Sequence, residues 1–509
     1  MALGTTAAVA LVGLTGHVVE VQAQLAWSVP GFVLVGLPDT ALSESRDRVR
    51  AAVLSSDIGW PNRKITVNLS PASLPKRGSA FDVAIAVAVL AGAGDVPAAG
   101  LETVVHLGEL GLDGRLQPVR GVLPMVAAAA AAGYRDVVVP TADVAEASLV
   151  PGVRVRGATT LADVVALHGG TARALPGVEP ARPARAEQQA GRSGDLREVV
   201  GQDVPRLALE IAAAGGHHLL FTGPPGAGKT MLASRLPGIL PDLSEPDAVE
   251  VTSVHSLAGT FDPGGGLITR PPYEDPHHTA TAAAVVGGGS GLPRPGAASR
   301  AHHGVLFLDE APEFGQRVLE TLRQPLEHGE LVIHRAAGAA RFPARFQLVM
   351  AANPCPCGRG GGKGLDCTCT PMARRRYLAK LSGPLLDRVD LQVEVEAVGR
   401  DGMRAAPGES TAVVAARVRE ARAATRERLA GTPWTLNAQV PGSWLRERLR
   451  GRWDVLRPVD AALDSGHLSL RGADRVLRIA YTIADLAGRA EPVEGDVGFA
   501  LTMRLGRIA

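Results

Sequence analysis

The run Gly223-Pro224-Pro225-Gly226-Ala227-Gly228-Lys229-Thr230 confines this chain to a narrow set of folds. It reads G-x-x-x-x-G-K-T, the pattern of a loop that wraps a phosphate in backbone amides. The residues before it, HHLLFT (217–222), are apolar and strand-like, and MLASRL (231–236) after it has helical spacing. A loop between a buried strand and a helix start offers an anion inward-turned N–H groups and the positive end of the helix. An α/β sheet built around that strand is therefore expected. In this pattern Lys229 reaches the β- and γ-phosphates of a nucleoside triphosphate and Thr230 holds Mg²⁺. A chance Gly-rich turn would not need a partner, and this motif has one. Further along, Gly304-Val305-Leu306-Phe307-Leu308-Asp309-Glu310 reads as a buried strand with two acids at its end. There Asp309 would hold Mg²⁺ through water, and Glu310 would orient and deprotonate the attacking water.

At 509 residues the chain exceeds one core, and roughly two to four domains are expected. Hydrophobic content of 46 % with 20 % charged residues is that of an ordinary globular chain. A formal charge of +2 gives no overall pull on nucleic acid, so any DNA contact must come from local patches. Lysine occurs only at Lys64, Lys76, Lys229, Lys363 and Lys380, which makes the one in the phosphate loop more telling. No apolar run reaches the ~18 residues of a membrane span. The opening MALGTTAAVALVGLTG lacks a basic leader, and its alternation continues into HVVEVQAQLAWSV as strands would. The expectation is a folded N-terminus, no membrane partner and a cytoplasmic location.

All four cysteines fall in one window, Cys355, Cys357, Cys367 and Cys369, as C-x-C-x9-C-x-C. A Cys₄ Zn²⁺ site is the leading reading, because GRGGGKGLD between the pairs would need a metal to order it. Two disulfides or free thiols are the alternatives.

Residues 1–170 alternate short strands (HVVEVQAQ, KITVNLS, VVHLGEL, DVVVP) with Ala-rich helices at 40–56, 80–92 and 123–133. Residues 171–194 are rich in Pro, Ala and Arg without periodicity, a linker. Residues 195–400 carry the nucleotide motifs, opening with VVGQ (199–202), and 401–509 are mainly helical. Two insertions interrupt the nucleotide core, a Gly- and Pro-rich stretch at 264–296 and HGELVIHRAAGAARFPARF (328–346). The second reads as two short strands around a small-residue tip. Both are expected to project as loops from a ring.

PHHTATAAAVVGGGSGLPRPG, HHGVLFLDEAPEF, FPARFQLVMAANPCPCG and LSGPLLDRVDL resemble the ComM/YifB family, the magnesium-chelatase-like AAA+ ATPases of bacteria. GLPDTALSESRDRVRAAVLSS, WPNRKITVNLSPASLPKRGSAFDVAIAVAVLAG and LRGADRVLRIAYTIADLAG extend the resemblance over nearly all of the chain outside the linker. It implies an α/β multidomain protein. An N-terminal Lon-protease-like domain (1–170) precedes a central AAA+ P-loop domain (195–400) with helix-2 and pre-sensor-1 insertions. A C-terminal helical lid (401–509) follows. It implies ATP and Mg²⁺ as cofactors. It places sensor 1 at Asn353, after FQLVMAA, and an arginine finger for the neighbouring subunit at Arg388 of Leu385-Leu386-Asp387-Arg388. Sensor 2 falls on Arg471, with Arg475 and Arg478 able to substitute. It further implies a hexameric ring that moves DNA branches and promotes integration of single-stranded DNA in transformation.

RPPYEDPHHTA departs from the RPFRAPHHTA of relatives, and an acid at Glu274 puts phosphate contact by that turn in doubt. MARRRY (372–377) either supplies the charge instead or is a solvated face. With few aromatics in the insertions beyond Tyr273, His277, His278 and Phe342, DNA binding is expected to rest on Arg335, Arg341, Arg374, Arg375 and Arg376. The Lon-like resemblance puts Ala80 at the serine position and Leu123 at the lysine position, with Ser79 and Lys76 displaced, so the domain is expected to be proteolytically dead. A magnesium-chelatase-type subunit that remodels a protein partner is the competing reading.

Overall fold

The computed structural model describes the chain except residues 1, 37–41, 43, 77, 182–193, 289–292, 336–337, 361–366, 400–405 and 507–509. Part of the expected linker, residues 289–292 of the first insertion, the tip of the second, most of the run between the cysteine pairs (361–366) and the first residues of the expected lid therefore lie outside the described residues, as does the side chain of Arg335. Among the described residues no helix is long and apolar enough to cross a membrane.

The N-terminal part is built on a long antiparallel hairpin, β1 (Ala2–Val12) and β2 (Thr15–Ala26). Strands β3 (Gly31–Val35), β4 (Lys64–Ser70) and β5 (Val104–His106) follow, then a two-stranded ribbon of β6 (Glu109–Leu110) and β7 (Leu116–Gln117). With β8 (Asp136–Pro140) and β9 (Arg154–Ala158) they complete a mixed seven-stranded sheet, order β3-β4-β2-β1-β5-β8-β9. Helices α1 (Ser45–Ser55), α2 (Asp82–Ala93), α3 (Val122–Ala131) and α4 (Leu161–Leu167) accompany it. Helix α2 is apolar on all sides and buried nearly throughout, as a helix enclosed by its own domain should be. Gly4 lets β1 close on it, since a Cβ there would lie 2.1 Å from the Ala88 carbonyl oxygen. The expected single strand VVHLGEL is two: after His106 the chain leaves the sheet, the Gly108 N–H donates to Ala80 O (3.1 Å), and Glu109–Leu110 pairs in the ribbon.

The central part holds β10 (Leu219–Thr222), β11 (Tyr273–Glu274), the ribbon β12 (Gly287–Gly288) and β13 (Arg294–Pro295), β14 (Val305–Leu308), the hairpin β15 (Glu330–Arg335) and β16 (Gly338–Pro343), β17 (Gln347–Ala352) and β18 (Leu391–Glu394). Five of these form a parallel sheet, order β11-β14-β17-β10-β18. Helices α5 (Asp203–Gly215), α6 (Lys229–Ile239), α7 (Glu245–Ala258) and α8 (Pro371–Leu378) belong to it, and α9 (Thr411–Arg428), α10 (Leu470–Leu486) and α11 (Glu494–Leu505) follow. Side chains alternate across the strands. Phe221, Phe307, Val349 and Leu391 face one core, which continues without a break into Val476, Leu477 and Ile479 of α10. Leu220, Leu306, Leu308 and Met350 face the other, with Val285, Leu319 and Leu331.

Two expectations about the insertions are corrected here. The β15–β16 hairpin does not stand free: Phe342 is fully buried and Ala340 nearly so, in a cluster with Val9, Leu11, Ala80, Val105 and Val122 of the N-terminal part and Leu257 of α7. Gly13, at φ +63°, allows this approach, because a Cβ there would lie 2.2 Å from the Arg341 carbonyl oxygen. The contact is extended by Ser256 donating to Glu146 and by Arg120 Nη1 donating to Ala258 O (3.4 Å). Glu274 is not in a turn: it lies in β11 and takes a two-pronged pair from Arg300 (2.9 and 2.6 Å). A buried strand next to β14 can hold an acid only with such a partner.

Candidate active site

Strand β10 ends at Thr222, and the Gly223 N–H donates to Ala352 O (3.1 Å), so the phosphate loop starts beside the end of β17. Gly226 and Gly228 sit at φ +77° and +94°, where a side chain would be strained. Their turn delivers Lys229 to the first residue of α6. Lys229 is 7 % exposed, and its Nζ donates to Gly223 O (2.7 Å), Pro224 O (2.9 Å) and Asn353 Oδ1 (3.0 Å). Burial lowers the pKa of its ammonium, and the nearby Asp309 and Glu310 oppose that. Thr230 Oγ1 donates to Asp309 Oδ2 (2.8 Å).

Glu310 follows at φ +51°, a left-handed conformation uncommon for a residue with a side chain, and its N–H donates to Asp309 Oδ1 (2.9 Å). Lys229, Thr230, Asp309, Glu310 and Asn353 thus meet at the carboxyl ends of β10, β14 and β17. That is where a doubly wound sheet binds its ligand. The donor set suits a polyphosphate: inward amides and one ammonium for the oxyanions, a hydroxyl and a carboxylate for a hard divalent ion. Thr230 and Asp309 would hold a Mg²⁺ there, which would neutralise phosphate charge.

The two arginines assigned by resemblance are elsewhere. Arg388 pairs with Glu327 (2.8 Å) and donates to Pro384 O (2.7 Å). Arg471 lies exposed in the first turn of α10. Its two neighbours are engaged, Arg475 on Asp390 and Arg478 on Val440 O (2.7 Å), which leaves Arg471 the candidate of the three.

The structure adds residues that sequence reading did not assign. Gln202, the last residue of VVGQ, is buried and its Nε2 donates to Ala227 O (3.2 Å) and Glu396 O (2.6 Å), tying the loop to the segment just after β18. His278 Nδ1 lies 3.5 Å from Glu310 Oε2, and its ring is 4.1 Å from that of His277. Asp390 is buried, receives the His218 N–H (3.0 Å) and Arg475, and is held far below the usual carboxylate range despite a burial cost, by His217 and Arg475. The VVGQ run was a visible signal; the other contacts join residues remote in sequence.

The cysteines converge. Cys355 Sγ lies 3.3 Å from Cys357 Sγ and 3.6 Å from Cys367 Sγ, Cys357 Sγ is 3.6 Å from Cys367 Sγ, and the four ligand atoms lie within 4.8 Å of one another. No pair is at the ~2.05 Å of a disulfide. Zn–S bonds of ~2.3 Å in a tetrahedron place sulfurs about 3.8 Å apart, so the set fits zinc. The Arg359 N–H, donating to Cys357, is the main cause that pulls its thiol down to about 6, and burial pushes Cys355 up to about 11.

Family models cover most of the chain: "Magnesium chelatase, subunit ChlI" over residues 195–403, "Subunit ChlI of Mg-chelatase" over 19–143, and "Magnesium chelatase, subunit ChlI C-terminal" over 408–504. An uncharacterized protein of Mycobacterium tuberculosis is 51 % identical over 505 residues, 99 % of each chain. The competence protein ComM of Haemophilus influenzae is 39 % identical over 506 residues, 99 % of this chain and 98 % of that one. The uncharacterized protein YifB of Escherichia coli is 40 % identical over 479 residues, 94 % and 92 % of the two chains.

Proposed function

The chain belongs to the ComM/YifB family of magnesium-chelatase-like AAA+ ATPases, and from this we propose that it is a ring motor that moves single-stranded or branched DNA as it hydrolyses ATP. The observation that carries the hydrolytic half is the meeting of Lys229, Thr230, Asp309, Glu310 and Asn353 at three neighbouring strand ends. Lys229 and the loop amides bind the phosphates, and Thr230 and Asp309 hold Mg²⁺. Asn353 orients the terminal phosphate or its water, and Glu310 accepts the proton of that water. Arg388 reaches the site of the next subunit and Arg471 closes over the site from the lid. The ring is a hexamer, and the cysteine set holds one Zn²⁺.

The DNA half rests on the family, on a competence protein among the full-length relatives, and on the exposed Arg375 and Arg376 of α8. The N-terminal domain is Lon-like in descent and not a protease. Ala80 and Leu123 are buried, Ser79 donates to Glu109, and the buried Lys76 Nζ is spent on Pro71 O.

Glu310→Gln should still bind ATP yet turn over at least ~100-fold more slowly, the size of a general-base effect. Wild-type turnover in that variant would remove Glu310 from the role. The DNA reading is tested by anisotropy titration of single-stranded and forked DNA with a non-hydrolysable ATP analogue across a salt series. Binding that requires nucleotide and falls steeply with salt is expected. No binding at low salt would favour remodelling of a protein partner, the chelatase-type alternative.

A further inference from the structure

The four-cysteine loop is wired to the phosphate loop at three points. Its first cysteine stands two residues beyond Asn353, whose side chain holds Lys229 (3.0 Å). Its last, Cys369, runs directly into α8: Thr370 caps that helix by accepting the Ala373 N–H (3.2 Å). The last turn of the helix carries Tyr377, 3 % exposed, whose hydroxyl meets the Asn353 backbone. Both ends of the loop therefore return to Asn353. The third point is Gly358. It closes a turn on Cys355 O (3.0 Å) at φ +74°, and a Cβ there would lie 2.5 Å from Pro225 Cγ and 2.8 Å from Pro225 Cδ. The Gly358 backbone is thus pressed against the ring of a phosphate-loop residue. Gly360 does the same on the sulfur side, a Cβ there falling 2.9 Å from Cys355 Sγ.

A loop of this composition has little apolar surface to fold on; only Cys355 among its cysteines is buried. Among its described residues, 355–360 and 367–369, what brings the two ends together is the approach of the sulfurs. We propose that the four-cysteine loop, closed on Zn²⁺, braces the phosphate loop through Gly358 and Pro225, so that ATP affinity depends on metal at a site that touches no part of the nucleotide. The inference rests on the zinc assignment made under the proposed function and goes beyond it. The chemical consequence is a second input to the ATPase: thiol-directed metals, chelators or oxidants acting at Cys355, Cys357, Cys367 and Cys369 change nucleotide binding.

The test uses full-length protein purified under reducing, chelator-free conditions. Zinc is measured by elemental analysis, then stripped with a chelator that is removed before binding, and affinity for a fluorescent ATP analogue is titrated with Mg²⁺. If the unbraced phosphate loop is competent about one time in ten, stripping weakens binding about tenfold, and re-added zinc restores it. Gly358→Ala, which drives a methyl group into Pro225, should weaken binding similarly while keeping its zinc. Zinc present with unchanged affinity after stripping, or a zinc-replete Gly358→Ala that binds like wild type, overturns the proposal alone. No zinc in the purified protein overturns the zinc assignment and the proposal with it. Should Gly358→Ala fail to fold, the stripping and restoration arm decides.

Discussion

Asp143 shows what burial does to one carboxyl. It is 6 % exposed, accepts the Val119 N–H (3.0 Å), and burial, aided by the neighbouring Glu146, pushes its pKa up to about 7. The folded state therefore keeps a proton that the unfolded chain releases near pH 4. The stabilisation from that proton is complete below the unfolded value and is lost as pH rises through about 7, an upper bound of about 4 kcal/mol. Asp143→Asn keeps an acceptor for Val119 and cannot ionise. Thermal melts at pH 5.5 and pH 8 should show the variant gaining on wild type at the higher pH, with the stability difference between the two pH values reduced; an unchanged pH dependence would count against the shifted carboxyl. At this scale the sequence was most readable where chemistry demands neighbours in the chain. The loop from Gly223 to Thr230 and the pair Asp309 and Glu310 are each contiguous, so their roles could be assigned from spacing. His278 against Glu310 could not, since nothing local to either residue points across the fold to the other, and the VVGQ run marked Gln202 without showing that Ala227 is its partner.

Among the elements, the β15–β16 hairpin departs furthest from expectation. Its two short strands around a small-residue tip were legible, and the structure has both strands. Its docking was not, because Phe342 reads the same whether it faces solvent in a pore or Val9 and Leu11 in another domain. Only tertiary packing decides. The sheet strands were legible for the opposite reason: LLF (219–221), GVLFL (304–308) and LVMAA (348–352) are apolar throughout, as strands covered on both faces must be. Phe342→Ala removes a fully buried ring from the interdomain cluster. It should cost about 3–5 kcal/mol if the site cannot collapse. Chemical denaturation measures that loss, and hydrogen exchange should rise in both β16 and β1. Faster exchange in β16 alone would mean that the hairpin is not held by the N-terminal domain.

At the scale of the molecule, one subunit does not complete the proposed site, since Arg388 is engaged by Glu327 rather than by the phosphate loop of its own chain. Arg388→Ala and Lys229→Ala should each be inactive alone. Mixed together they should recover part of the ATPase, because an Arg388→Ala subunit keeps a sound phosphate loop and can borrow the finger of a Lys229→Ala neighbour. Mixed rings without any recovered turnover would place the finger in cis or nowhere. The unbroken core beneath the parallel sheet and α10 has a separate consequence for how the protein can be watched. Trp434, in the loop after α9, and Trp444, in the helix Gly442–Arg448, rings 6.1 Å apart, pack on that same core. A ligand held at a thousand times its Kd adds about 4 kcal/mol to the unit that binds it. With sheet and helices melting as one unit, the intrinsic fluorescence of this tryptophan pair becomes an optical gauge of whether a phosphate loop in another part of the molecule is loaded.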